Sequence, residues 1–122
     1  YALADCLVFP THSDPWGLVV NEAMNAQRPV VVSDDVGCHE DLVREGETGA
    51  IFPVGDIRAL AEAIERVLGA PGVTARMGIA ARACIDDFSF EQDVAGLRQA
   101  LAWCVPGFSA IASWTAAEEV LG

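Results

Sequence analysis

An α/β fold, built on a parallel sheet with flanking helices, is what this sequence predicts, and three observations carry the prediction. Short apolar runs alternate with helix-length amphipathic stretches along the chain. The runs are apolar throughout rather than at every second residue, the pattern of strands covered on both faces. Each run is closed by proline, glycine or a polar turn. Only three such runs occur, whereas a doubly wound domain uses about five or six strands. The opening strands of the sheet are therefore expected to lie before Tyr1, or to come from another copy.

The elements follow in order. Cys6-Leu7-Val8-Phe9, closed by Pro10, reads as a buried strand. The polar loop Thr11-His12-Ser13-Asp14 leads to Pro15, which suits a first helical position with Asp14 as N-cap, and the helix is expected to reach about Gln27. Pro29 stops it, and Val30-Val31-Val32-Ser33 is the second strand. A turn containing Gly37 precedes a short helix over residues 39–44. Glu45-Gly46-Glu47-Thr48-Gly49 turns into a third strand, Ala50-Ile51-Phe52. Asp56 caps a helix whose expected apolar face is Leu60, Ala61, Ile64, Val67 and Leu68, with Gly69-Ala70-Pro71-Gly72 as its exit. Helices are expected over residues 74–88 and 90–103, with Ser89 as the cap between them.

Composition narrows the function. At 122 residues the chain suits one small domain, and 52% hydrophobic content supplies a core. A formal charge of −11 repels nucleic acid and anionic lipid, so neither is an expected partner. Cys6, Cys38, Cys84 and Cys104 are widely spaced and accompanied only by His12 and His39, which disfavours zinc. They read as buried free thiols of a reducing compartment, with a disulfide left open, and with no signal segment visible the cytoplasm is the expected location. The uncharged stretch over residues 99–117 is about long enough to enter a bilayer. Pro106-Gly107 interrupts it, so a helix, a turn and a tail over residues 105–122 is the favoured reading, and membrane association is not indicated.

The chemistry is expected where a loop leaves a strand and enters a helix. In an open parallel sheet ligands bind at the carboxyl ends of the strands, and a helix N-terminus there presents unpaired N–H groups to an anion. Gly17 lets a ligand approach the first turn closely. Asp14 and Glu22 are the two carboxylates of this segment. On one continuous helix they would stand about 12 Å and roughly 80° apart, so sharing a ligand requires Asp14 to lie on a curling loop. Glu22 has Leu18, Val19, Asn25 and Ala26 as its helical neighbours, so no local cation pairs with it and it needs water or a ligand hydroxyl. Plainer roles stand beside these: Asp14 as a simple cap, Glu22 as a solvated helix residue, His39 and Glu40 as ordinary helix-start residues, and Trp16 as a core or interface aromatic.

Taken together, Ser13-Asp14-Pro15-Trp16-Gly17-Leu18-Val19-Val20-Asn21-Glu22-Ala23-Met24 resembles the signature of the retaining, GT-B-fold glycosyltransferases of family 4. Two acidic residues separated by seven others, an aromatic-Gly-Leu step and a closing Glu-Ala-Met make up that signature. Arg28-Pro29-Val30-Val31-Val32-Ser33, Val36-Gly37, Glu40, Gly46-Glu47-Thr48-Gly49, Val54-Gly55-Asp56 and Phe88-Ser89-Phe90 follow in the family's order. The resemblance implies that residues 1–104 are the C-terminal part of a Rossmann-like nucleotide-sugar-binding domain, whose opening strands and N-terminal acceptor domain are missing here. It implies a nucleotide-diphosphate-sugar donor and no metal. Glu22 would hydrogen-bond ribose hydroxyls, Asp14 would hold the transferred sugar, and the backbone of Trp16, Gly17, Leu18 and Val19 would take sugar and diphosphate. Asp14 departs from the family's usual Glu by one methylene, and the family's diphosphate-clamping Arg and Lys lie upstream of this sequence. Two other readings are kept: a non-catalytic binding or scaffold module, with oligomerisation through the incomplete sheet, and a sugar-nucleotide epimerase. The Asp14–Glu22 spacing with Trp16-Gly17 favours transfer over the latter.

Overall fold

The computed structural model describes residues 1–105. The chain divides into two units, Tyr1–Asp87 and Phe88–Gly122. The first runs β1 (Leu7–Phe9), α1 (Leu18–Asn25), β2 (Val30–Ser33), α2 (His39–Leu42), β3 (Gly49–Phe52), α3 (Ile57–Leu68) and α4 (Val73–Ile85). The three strands form one parallel sheet in the order β1-β2-β3, as the alternation of apolar runs and helices predicts.

β2 is the centre of the core because its side chains divide between the two faces of the sheet. Val30 and Val32 pack with Val20, Ala23 and Met24 of α1 and Ala81, Cys84 and Ile85 of α4. Val31 faces the opposite side, among Ala50, Phe52, Ala63, Val67 and Met77. All four β2 residues are buried. Each fully buried valine or methionine contributes about 1.5–3 kcal/mol of hydrophobic stabilisation, so this uninterrupted strand anchors both layers.

β1 departs from expectation. It starts at Leu7 rather than Cys6 and is only half-buried, with Val8 37% exposed, because β2 is its one strand neighbour among the described residues. The α3 face is also corrected. Ala63 is buried in place of Ala61, and Leu68 is exposed at the last turn, so the buried stripe is Leu60, Ala63, Ile64 and Val67. The Asp56 cap stands as expected, its carboxylate accepting from the Ala59 amide at 2.9 Å. Thr48 is a buried polar residue at the entry to β3. Its hydroxyl accepts from the Arg44 amide at 2.8 Å and donates to the Leu42 carbonyl at 3.1 Å, which satisfies it fully and ties α2 to the strand.

In the second unit α5 covers Phe90–Cys104. Ser89 caps it through a complete capping box: Gln92 donates its amide to the Ser89 hydroxyl, and its side chain accepts from the Ser89 amide. Among the described residues no helix is long and apolar enough to cross a membrane, and the turn expected at Pro106-Gly107 and the tail beyond lie outside them. All four cysteines are free. Cys38 and Cys84 are buried as expected, but Cys6 is half-buried beside the β1 edge and Cys104 is exposed on the last turn of α5.

Candidate functional site

The loop between β1 and α1 lies at the carboxyl end of the sheet and is held by backbone contacts rather than by a cap. Asp14 does not cap α1. Its Oδ1 accepts from the Trp16 amide two residues on, at 3.0 Å, an Asx-type turn that curls the chain before the helix begins. The helix therefore starts at Leu18, three residues later than Pro15 suggested, and Gly17 is its N-cap.

Gly17 adopts φ +86°, a left-handed conformation that side chains disfavour. A Cβ there would stand 2.5 Å from Val36 Cγ2 and 3.3 Å from Phe9 Cε1. The space expected for an approaching ligand is thus filled by the protein's own valine, and Gly17 is required by packing as well as by backbone shape. Gly37 meets the same loop from the other side, since its Cβ would overlap the Pro15 carbonyl.

Three backbone bonds and two side-chain bonds join this loop to the last residue of β2 and the turn after it. The Asp14 amide donates to Asp35 O at 3.3 Å, Gly37 donates to Asp14 O at 2.9 Å, and Cys38 donates to Trp16 O at 3.0 Å. Asp35 Oδ2 accepts from the Ser13 amide at 3.0 Å, and the Ser33 hydroxyl donates to Thr11 O at 2.7 Å. Asp35, Val36 and Gly37 are neighbours of the loop to which the sequence assigns no contact with it. Val36-Gly37 stands out in the sequence as a turn and a motif, but not its contact with residues 13–17, because those partners lie about twenty residues away.

On α1 the buried positions are Val20, Ala23 and Met24. Leu18, 68% exposed, and Glu22, one turn further on, share the opposite side. No side chain caps α1, and the Val20 amide turns back to Gly17 O at 2.9 Å, so the donors of the helix start are the Leu18 and Val19 N–H groups, with the partial positive charge of that end. The Trp16 ring is half-buried against the core and its Nε1 donates to Asn21 Oδ1 at 3.0 Å, while its amide is taken by Asp14 Oδ1 and its carbonyl by Cys38, so the residue expected to offer its backbone to a ligand uses it within the loop.

Glu22 has a partner that its helical neighbours do not reveal: Tyr1 Oη donates to its Oε2 at 2.8 Å. That hydrogen bond, followed by desolvation and the nearby negative charge, raises the Tyr1 pKa above its usual value. The four ion pairs found among the described residues use Arg44, Arg58, Arg66 and Arg82 and involve neither Asp14 nor Glu22. His39 opens α2, and the Val36 carbonyl accepts from its Nδ1 at 2.6 Å, which selects the tautomer carrying its proton on that nitrogen. Glu40 is exposed. Burial pushes the Cys38 thiol up to about 11, with the Asp14 and Asp41 carboxylates adding to the shift. A hollow of about 170 Å³ also opens at these strand ends, lined by Pro10, His12, Phe52, Val54, Asp56 and Ile57 among others.

The glycosyl transferases group 1 model matches residues 1–83, more than half of the chain. The chain belongs to that family. Glycogen synthase of Mycobacterium tuberculosis is 39% identical over 65% of this chain, which covers 19% of that protein. D-inositol 3-phosphate glycosyltransferase of Streptomyces scabiei is 35% identical over 78% of the chain, covering 21% of the relative. The chain thus spans about a fifth of the length of these relatives. Among solved structures, sucrose-phosphate synthase of Thermosynechococcus elongatus superposes with a TM-score of 0.74 at 33% identity, covering 88% of this chain and 26% of that one. HepE of Anabaena, solved with UDP and glucose, superposes with a TM-score of 0.69 at 28% identity over 82% of this chain and 28% of its own. These neighbours are GT-B glycosyltransferases, and the family chain described here has the same α/β arrangement of parallel strands and flanking helices.

Proposed function

We propose that residues 1–104 are the C-terminal part of the donor-binding domain of a retaining family 4 glycosyltransferase, which moves a sugar from a nucleotide-diphosphate-sugar to an acceptor held by an N-terminal domain. One observation carries this reading: an uncapped helix start beside a curled loop, with Glu22 accepting a hydroxyl at 2.8 Å on the exposed side of the same helix. The donor diphosphate would lie against the amides of Gly17, Leu18 and Val19, where the helix dipole stabilises negative charge, while Trp16, whose amide is taken by Asp14 Oδ1, shapes the loop instead of donating to the ligand. Glu22 would take the ribose hydroxyls in the manner in which it takes the Tyr1 phenol. A carboxylate has about four lone-pair sites, and Asp14 commits one of them to Trp16, so acceptor capacity remains for hydroxyls of the transferred sugar. As the diphosphate leaves, the same amides would meet the charge that develops, the form of stabilisation that needs no metal. The buried free thiols Cys38 and Cys84 support a reducing compartment, and the cytoplasm is the proposed location.

Titration of the longer enzyme that carries this chain with UDP-glucose, GDP-mannose and ADP-glucose, followed by amide nuclear magnetic resonance, tests the binding. Shifts centred on Trp16 to Val19 are expected with one of the three, and silence there with all of them refutes the reading. Retention is read from the anomeric proton of the product formed by the longer enzyme, and that transfer is expected to be unchanged by EDTA.

A further inference from the structure

Tyr1 lies outside every motif of the site, yet its phenol donates to the Glu22 carboxylate at 2.8 Å. Its position is set by the chain around it. The Ala4 amide donates to Tyr1 O at 3.0 Å, closing a turn, and Arg28 Nη2 donates to Ala2 O at 3.1 Å, tying that turn to a residue two positions before β2. The Leu7 amide then donates to Pro29 O at 3.0 Å, which fixes the turn to the sheet. Glu22 is by contrast an exposed glutamate with no cation among its helical neighbours, and such a side chain samples several rotamers unless something holds it.

We propose that Tyr1 is a positioning residue for the proposed donor site: its phenol holds the Glu22 carboxylate by Oε2 in the orientation that receives a vicinal diol. The inference rests on the assignment of Glu22 to the ribose. The geometry leaves room for both partners, because a carboxylate offers about four lone-pair sites and the phenol fills one. A diol binds through two hydroxyls at once, so it gains more than a single hydroxyl does from a carboxylate whose rotation is already arrested. Tyr1 thus acts on the nucleotide through Glu22 and need not touch it.

The test uses Tyr1→Phe, which keeps the ring and removes the donor. Of UDP, GDP and ADP, the nucleotide that binds the longer enzyme carrying this chain most tightly is compared with its 2′,3′-dideoxy form by resonance titration, for the original chain and for the variant within that enzyme. The original chain is expected to prefer the ribose form, and Tyr1→Phe to reduce that preference about three- to tenfold, the range of a hydrogen bond to an exposed charge. The dideoxy form should bind both chains equally, whereas damage to the fold would weaken both ligands together. Preference retained in full by Tyr1→Phe overturns the positioning role alone. No preference in the original chain, or no binding of any of the three nucleotides, overturns the ribose assignment and this inference with it.

Discussion

Replacing Gly17 by alanine tests whether the loop is built around its own packing. Two costs are separable in the structure. The left-handed backbone at φ +86° disfavours a side chain by about 1–2 kcal/mol. The added Cβ would stand 2.5 Å from Val36 Cγ2, and overpacking of this kind costs about 1–3 kcal/mol. Together Gly17→Ala should destabilise the chain by about 2–5 kcal/mol, a large share of the roughly 5–15 kcal/mol that holds a domain together. Urea unfolding followed by circular dichroism reads the change as a shift in midpoint at constant slope. The overlap can then be removed from the other side. Val36→Ala alone should cost about 1–3 kcal/mol for the cavity it leaves. In the double variant the collision disappears while the backbone cost stays, so the pair should be less destabilised than the sum by about 1–3 kcal/mol. Additive costs, or a Gly17→Ala effect below about 1 kcal/mol, would refute the account of why this position is glycine.

Other outcomes follow from the same loop and its surroundings. Asp14→Asn keeps an oxygen to accept the Trp16 amide, so its unfolding midpoint should stay within about 0.5 kcal/mol of the original, whereas Asp14→Ala should lose about 1 kcal/mol; both should weaken sugar-nucleotide binding in a titration. Glu22→Gln removes the charge from the proposed ribose contact and should weaken nucleotide binding by about tenfold or more, with unchanged circular dichroism. Cys38 in the native chain should resist alkylation at pH 8, because its thiol is held protonated up to about 11. The folded chain retains that proton above the ordinary value of 9.0, so stability is intact below pH 9 and should fall by roughly 1.4 kcal/mol per pH unit from there toward 11, as pH-dependent unfolding would show. Ser89→Ala removes one half of the α5 capping box and should cost about 1 kcal/mol of helix stability, visible as lost ellipticity.

Much of the fold was legible because β2 is Val-Val-Val-Ser between a proline and a polar turn, and the amphipathic α3 follows an aspartate that does cap it. Those are local signals, and local reasoning reads them. The start of α1 misled for the same reason: Asp14-Pro15 carries the pattern of a cap and first turn, but long-range bonds from Gly37 and Cys38 hold residues 14–16 in a curl and postpone the helix to Leu18. The need of Glu22 for water or a hydroxyl is readable from its apolar and neutral neighbours. That Tyr1 supplies one is not, since twenty-one residues separate the two and no helical or strand period links them. The half-exposure of β1 likewise depends on which strands lie beside it, which residue composition does not encode.

The stitching of the segment 13–17 to the segment 35–38 bears on how this loop can be moved between members of the family. Because Asp14, Trp16 and Gly17 are shaped by Asp35, Val36, Gly37 and Cys38, the two segments form a single graft. Transplanting the first alone into a relative would carry its letters without its shape, whereas moving both together should transfer the cradle intact.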